Sequence, residues 1–335
     1  MSTVSGLLQL EDDPTTPEEP MGIEPEALTR QAESSVADAA AAGLITPGSR
    51  VLHYTSPHGG GWRDHLERFG LTEVADGEAD LIVDVHGMMH DPDQHAAFTE
   101  RLSHLAPDGV LTMIFLDATA ILREGMWNSV RNGHFAYYTA PVLVEMARQI
   151  GLTAVGAWSY ALYHNGTTML AFARTGSRWG GQTAAVDALI AAQDAAGVRD
   201  PERAAALGAA HDETVSEIRG YLARSRGLVV AGYGAASRAV ALLASAGITA
   251  EDVVVIGDAA GAKQGRTVPA SRIPIVSPAE LIARRPDRVL LFVADLLPEV
   301  RRAFPEVEAS GGRWVVADPV PREVEPDQTA EIDPA

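Results

Sequence analysis

Short runs of continuous apolar residues alternate along this chain with longer stretches in which apolar positions recur every three or four residues. Residues 1–24 stand outside that pattern, being acidic and Pro-rich with too few apolar positions to build a core, and they predict a disordered tail. From Glu24 to Ala42 an Ala-rich periodic stretch predicts a helix that closes at Gly43. Ser49–Tyr54 (SRVLHY) reads as a short buried strand, followed by the turn SPHGGG and a helix-like WRDHLERFG. Leu81–Val85 (LIVDV) is a second buried strand, Asp93–Leu105 a helix, and Val110–Leu116 (VLTMIFL), after a Pro-Asp-Gly turn, a third strand. Strands that are apolar throughout and separated by helices predict a parallel sheet covered on both faces. Residues 140–150 predict another helix, and 152–162 with 167–174 an antiparallel strand pair.

The second half repeats the theme. An Ala-rich helical stretch over 183–224 leads into four further apolar strands at 227–234, 253–258, 289–294 and 313–318, with helices between them. The expected fold is therefore α/β: a truncated Rossmann-like lobe followed by a second, smaller Rossmann-like lobe. The expected division is a tail over 1–24, a first domain over 25–180, a helical connector over 181–225, a second domain over 226–322 and a disordered tail over 323–335.

Composition narrows the chemistry. A length of 335 residues, 46% of them hydrophobic, suffices for two ordinary domains. There is no cysteine, which excludes disulfides and Cys-based zinc or iron–sulfur sites and fits a reducing cytoplasm. No apolar run approaches the ~20 residues of a membrane span, and the opening residues do not read as a signal peptide. A formal net charge of −19 repels phosphate backbones and argues against nucleic acid as a partner.

Five segments, in order, resemble the C-methyltransferases that act on nucleotide-linked ketosugars in antibiotic pathways. They are MWNSVRNGHFAYYTAPVLVEMARQIGL (126–152), YHNGTTMLAFAR (163–174), VVAGYGAASRAVALLASAGI (229–248), SRIPI (271–275) and ASGGRWVVADP (309–319). The resemblance implies a methyltransferase-like enzyme of natural-product biosynthesis, with S-adenosylmethionine as donor and a small keto substrate, nucleotide-linked or phosphorylated. The chain departs from the family in three places. It has no Cys-rich zinc module. His53-Tyr54-Thr55-Ser56-Pro57-His58-Gly59 stands where the family opens its donor site with a Glu and a first Gly. Between the first helix-like stretch and LIVDV only about ten residues remain, too few for the usual strand–helix–strand insertion, so the second strand whose terminal acid would hold the donor ribose is not expected, and Glu73 or Asp76 would have to substitute for that acid.

The resemblance makes His134 the base that removes a proton alpha to a ketone, work that suits an imidazole because its pKa lies near neutrality. The family's acidic neighbour of that histidine is Gly133 here. Tyr137 and Tyr138 follow, the former a substrate contact and the latter a phenol able to steady an enolate oxygen. His164, with Asn165 and Gly166, corresponds to a turn that lines the substrate pocket. His90 belongs to a run with His86 and His95; the interrupted helix there argues against a metal, and the resemblance implies a pocket role for His90. Gly59, Gly60 and Gly61, with Asp84, are the residues expected against the donor. In the second lobe Gly232, Tyr233 and Gly234 open a helix whose amides suit an anionic group, with Arg238 and Arg272 as partners of a diphosphate and Asp258 as a ribose acid. Two other functions are compatible with these residues: a donor-independent isomerase, epimerase, cyclase or lyase using the same proton step, and a non-catalytic partner protein.

Overall fold

The computed structural model describes residues 6–10, 23–55, 61–130, 133–162 and 166–325. They form two compact units: one from the described residues within 1–15, 26–123 and 132–204, the other from those within 16–25, 124–131 and 205–335.

The first unit runs through β1 (Leu8–Gln9), α1 (Glu26–Ala41), β2 (Arg50–Thr55), α2 (Arg63–Leu66), β3 (Thr72–Glu73), β4 (Ala79–Val85), α3 (Gln94–His104), β5 (Leu105–Leu116) and α4 (Ala118–Glu124). It continues with β6 (Ala136–Tyr137), α5 (Ala140–Gln149), β7 (Leu152–Tyr160), β8 (Thr167–Arg174) and α6 (Ala184–Ala195). Its main sheet has the order β3-β2-β4-β5-β8-β7. The first four strands are parallel, and β8 and β7 close the edge as the expected antiparallel pair. Leu81, Val83 and Val85 pack on one face with Ala32, Val36 and Ala39 of α1. Ile82, Leu111 and Met113 pack on the other with Phe98 of α3 and Leu143 of α5. Both faces are covered, which is why LIVDV shows no polar alternation.

Three features depart from expectation. A second strand does form, two residues long, parallel to β2 and ending in Glu73; ladder bonds from Thr72 to Ser49 and from Val74 to Val51 suffice to hold so short a piece. The third strand begins at Leu105 because Ala106–Gly109 bulge opposite Asp80 while the ladder continues on either side, an arrangement that suits a proline with no amide to donate. Within the region expected to be a disordered tail, Leu8 and Gln9 pair antiparallel with Tyr137 and Ala136, and Leu7 is buried.

The chain passes into the second unit along α7 (Pro201–Arg224), so the expected connector is no separate body: α6 belongs to the first unit. Then come β9 (Val230–Tyr233), α8 (Ser237–Ser245), β10 (Ile256–Gly257), β11 (Ile275–Val276), α9 (Pro278–Ala283), β12 (Arg288–Leu291), α10 (Leu297–Ala303), α11 (Glu306–Ala309), β13 (Arg313–Val316) and β14 (Arg322–Glu323). The order β11-β10-β9-β12-β13-β14 is parallel except for the last strand, and between β9 and β12 the order in which the chain adds strands switches from one side of the sheet to the other, the switch point of a Rossmann-like sheet. β11, which begins at the last residue of the SRIPI segment, and β14, of which Glu323 lies in the expected terminal tail, have no counterpart in the sequence pattern, because two-residue strands leave no periodicity to read. Glu124–Arg131 also groups with this unit. The Trp127 ring lies 4.5 Å from that of His211, and Asn128 Nδ2 donates to Asp318 Oδ2 at 2.7 Å. Among the described residues no helix is long and apolar enough to cross a membrane.

Asp117, just beyond β5, joins several pieces of the first unit. Its buried carboxylate accepts from the Thr119 amide at 2.8 Å, Thr168 Oγ1 at 2.9 Å and Gln193 Nε2 at 2.6 Å, while Gln193 Oε1 accepts from the Ala140 amide. Burial raises its pKa above the ordinary carboxylate value. Asp117→Ala is expected to lower stability by roughly 2–4 kcal/mol, since it strands buried donors, as read by urea unfolding. A raised folded-state pKa means the folded protein holds this proton more tightly than the unfolded chain. The carboxyl's contribution is therefore full below its ordinary pKa and declines as pH rises through the raised value, so the loss should be larger at pH ~4 than at pH ~8.

Candidate active site

The site is built from the turn that follows β4. Asp84 points back into the helix-covered side of the sheet, where its carboxylate accepts from the Gly87 amide at 2.8 Å, the Met88 amide at 3.2 Å and Arg101 Nε at 2.6 Å. The side chains of Asp84 and Arg101 are 2% and 3% exposed, so their charges are balanced almost without water. Arg101 also donates to the Ala97 carbonyl, stacks its guanidinium 4.1 Å from the Tyr54 ring, and lies 3.6 Å from Asp91 at the far end of the turn. Burial raises the pKa of Asp91. His86, whose amide donates to the Ile114 carbonyl, takes a φ of +55°, which sends the chain out of the strand abruptly. This geometry removes Asp84 from the donor-binding residues: its oxygens face inward, toward the turn amides and Arg101.

The turn carries His90. Its Nδ1 lies 2.5 Å from the Gly133 carbonyl oxygen. A carbonyl only accepts, so Nδ1 carries the hydrogen. The His90 ring stands edge-to-face with the buried ring of His134, centroids 4.7 Å apart and planes at 89°. The His134 segment is held from two sides: the Phe135 amide donates to the Met89 carbonyl, and the Phe135 carbonyl accepts from the Leu10 amide beside β1. Tyr137 lies 6.3 Å from His134, ring to ring. Gly133 has a φ of +84°, a left-handed conformation that would strain the glutamate found there in the family.

Tyr138 is placed differently from expectation. Its ring packs edge-on against Phe115 in the core, its hydroxyl donates to Gln94 Oε1, and burial holds its pKa well above the usual phenol value. Gln94 in turn donates to the Met88 carbonyl at 2.9 Å. The phenol is thus a prop beneath the turn and is not presented to an enolate.

At the edge of the same sheet stand three residues that no sequence motif groups together. Glu73 ends β3, Arg63 of α2 donates to its carboxylate, and His53 lies on β2 beside them. His53 is half-buried, its Nδ1 has no hydrogen-bond partner among the described residues, and burial lowers its pKa. A two-residue strand carries too little pattern to announce this cluster. Gly61 is described, with open space where a Cβ would stand, whereas Gly59 and Gly60 lie outside the described residues. His164 and Asn165 also lie outside them. Gly166 donates its amide to the Leu162 carbonyl and receives the Asp117 amide.

In the second unit Gly232, Tyr233 and Gly234 do join β9 to α8, and Gly234 has a φ of +90°. Asp258 accepts from the amides of Ala235 and Ala260, both at 2.8 Å, so it braces this turn instead of reaching for a ribose. Lys263, the only lysine in the chain, donates to the Ala235 carbonyl at 3.1 Å and stands 3.8 Å from Asp258. Arg238 is buried beside Met126 Sδ, with Asp318 at 3.9 Å offsetting its charge. Arg272 is exposed, with a φ of +56°. Tyr233 packs between Phe304 and Trp314, and burial pushes its pKa up to about 12. The expected pairing of Arg238 and Arg272 on a diphosphate does not form, because one faces a carboxylate inside the unit and the other faces solvent.

Residues 163–321 match the model of the C-methyltransferase C-terminal domain. The chain is 29% identical over 258 residues to the C-methyltransferase NovU of Streptomyces niveus, an alignment that covers 76% of this chain and 60% of that protein. The chain thus spans about 60% of the length of the curated relative it matches. Among solved structures, the 1,6-didemethyltoxoflavin-N1-methyltransferase of Burkholderia thailandensis aligns with 45% of this chain and 79% of its own, at 18% identity and a TM-score of 0.30. The magnesium protoporphyrin IX methyltransferase of Synechocystis aligns with 44% of this chain and 83% of its own, at 12% identity and a TM-score of 0.33. The chain is similar to C-methyltransferases by sequence, and its fold is α/β with Rossmann-like sheets.

Tyr138→Phe is expected to leave Gln94 Oε1 buried without its donor and to cost about 1–2 kcal/mol. Urea unfolding checks this.

Proposed function

We propose that this chain is a C-methyltransferase acting on a small keto substrate, a nucleotide-linked ketosugar or a close relative, with His134 as the base that removes the proton alpha to the carbonyl. The observation that carries the reading is the pair of imidazoles, His90 against His134, fixed beyond the end of β4 by contacts from two different loops. The sequence similarity to NovU and to the C-methyltransferase C-terminal domain supports the reaction class.

The residues at the sheet edge fit S-adenosylmethionine in one respect. Glu73 ends the strand beside β2, is about half exposed, and has the two acceptor oxygens that ribose hydroxyls require. Glu73 and Gly61 would hold the donor, which when bound supplies an electrophilic methyl group. His134 acts separately, its ring taking the alpha proton as the carbon becomes nucleophilic. Tyr137 shapes the wall beside it. One observation favours a donor-independent isomerase or lyase, namely that Arg63 already holds the Glu73 carboxylate. In either case the proton step is shared.

Two measurements test the proposal. Calorimetry with S-adenosylmethionine should give saturable binding that Glu73→Ala weakens; no heat at millimolar donor would favour the donor-independent reading. In deuterated water the wild-type protein should exchange the alpha hydrogen of a nucleotide-linked 4-keto-6-deoxyglucose. His134→Ala should slow that exchange by roughly a hundredfold or more, the scale of losing a positioned base. Exchange at the wild-type rate in the variant removes His134 from the mechanism.

A further inference from the structure

The clamp on the turn after β4 is stronger than a strand end needs. Burying two opposite charges is expensive, and an apolar pair of similar shape would hold α3 on the sheet at least as well. What an apolar pair cannot do is bind backbone amides. Asp84 uses its oxygens on the amides of Gly87 and Met88 at the start of the turn, and Arg101 reaches from Asp84 to within 3.6 Å of Asp91 at its end. Arg101 therefore brackets the whole loop from 84 to 91. Among the described residues, hydrogen bonds join that loop to the segment bearing His134 at two points: His90 Nδ1 to the Gly133 carbonyl, and the Phe135 amide to the Met89 carbonyl. The contacts fall on either side of His134 in sequence, so a shift of the loop moves the His134 ring.

We propose that Arg101, bracketed by Asp84 and Asp91, is a positioning residue that holds His90 in one tautomer as the companion of His134. This rests on the reading of His134 as the base. In the family this chain resembles, the histidine has an acidic neighbour in sequence. Here that position is Gly133 with a left-handed backbone, and the ring that stands against His134 is that of His90 on another loop. The bond to the Gly133 carbonyl fixes the hydrogen of His90 on Nδ1. The ring then keeps one orientation while His134 gains and loses its proton.

The test uses the full chain labelled with ¹⁵N. Long-range ¹H–¹⁵N correlations of the imidazoles should show His90 as a single Nδ1–H tautomer. In Arg101→Met that signature should give way to a mixture of tautomers, and alpha-hydrogen exchange on nucleotide-linked 4-keto-6-deoxyglucose should fall about tenfold or more, with partial recovery in Arg101→Lys. Gly87→Ala perturbs the same clamp more gently, because a Cβ there would stand 3.1 Å from Asp84 Oδ1. It should shift the His90 signature in the same direction and decides the matter if Arg101→Met does not fold. A folded variant of either kind with an unchanged His90 spectrum and unchanged exchange overturns the proposal. A wild-type protein that exchanges nothing, but whose His90 spectrum responds to these substitutions, overturns His134 as base and supports the positioning.

Discussion

The first unit depends on one buried ion pair. Asp84 and Arg101 meet at 2.6 Å with almost no solvent contact, and removing either partner would leave a charge buried alone, at a cost of roughly 3–5 kcal/mol. Through this pair the middle of the sheet, the helix α3 and the turn after β4 are fixed to one another. Tyr54 on β2 closes over the guanidinium and brings the neighbouring strand into the same arrangement. The pair accounts for the abrupt exit of the chain at His86 and hence for where His90 comes to stand.

The five residues from His134 to Tyr138 show how such a constraint divides neighbours in sequence. His134 and Tyr137 lie on the side of His90 and β1, with the two-residue pairing of Leu8 and Gln9 against Ala136 and Tyr137 steadying the backbone. Tyr138 turns the other way, into the core beside Phe115, and supports Gln94, which itself carries the Met88 carbonyl. Its carbonyl accepts from the Ala118 amide at the start of α4, next to the Asp117 junction. Aromatic residues adjacent in the chain thus have opposite roles, one beside the proposed base and one beneath the loop that orients it.

The second unit applies the same device at a strand-to-helix turn. Asp258 takes the Ala235 amide while Lys263 takes the Ala235 carbonyl, so a carboxylate and the chain's only lysine hold the two ends of one residue. The turn that Gly234 makes possible is held by charged side chains, with the Ala235 amide on Asp258 and the Gly234 amide on the Gly257 carbonyl.

The sequence by itself determined the layers. Predominantly apolar runs such as LIVDV and VLTMIFL, too short for helices, read as strands covered on both faces, and their alternation with periodic stretches implies parallel sheets in both halves. It also singled out His134 through its place in a recognisable segment and His90 through the run of histidines after LIVDV. Tertiary structure alone decided what each polar residue does. Asp84 reads in the sequence as an acid set against the donor, and becomes a buried anchor only because α3, 17 residues further on, delivers Arg101 to it. Glu73 acquires a strand, and Leu8 and Gln9 acquire a partner, through ladder pairings between distant residues that leave no local periodicity. Arg238 reads as a cation for a ligand and instead meets Asp318, 80 positions away. Local pattern reports which residues avoid water, whereas the partner of a charge is set by contacts between distant parts of the chain, and those exist only once the sheet has assembled.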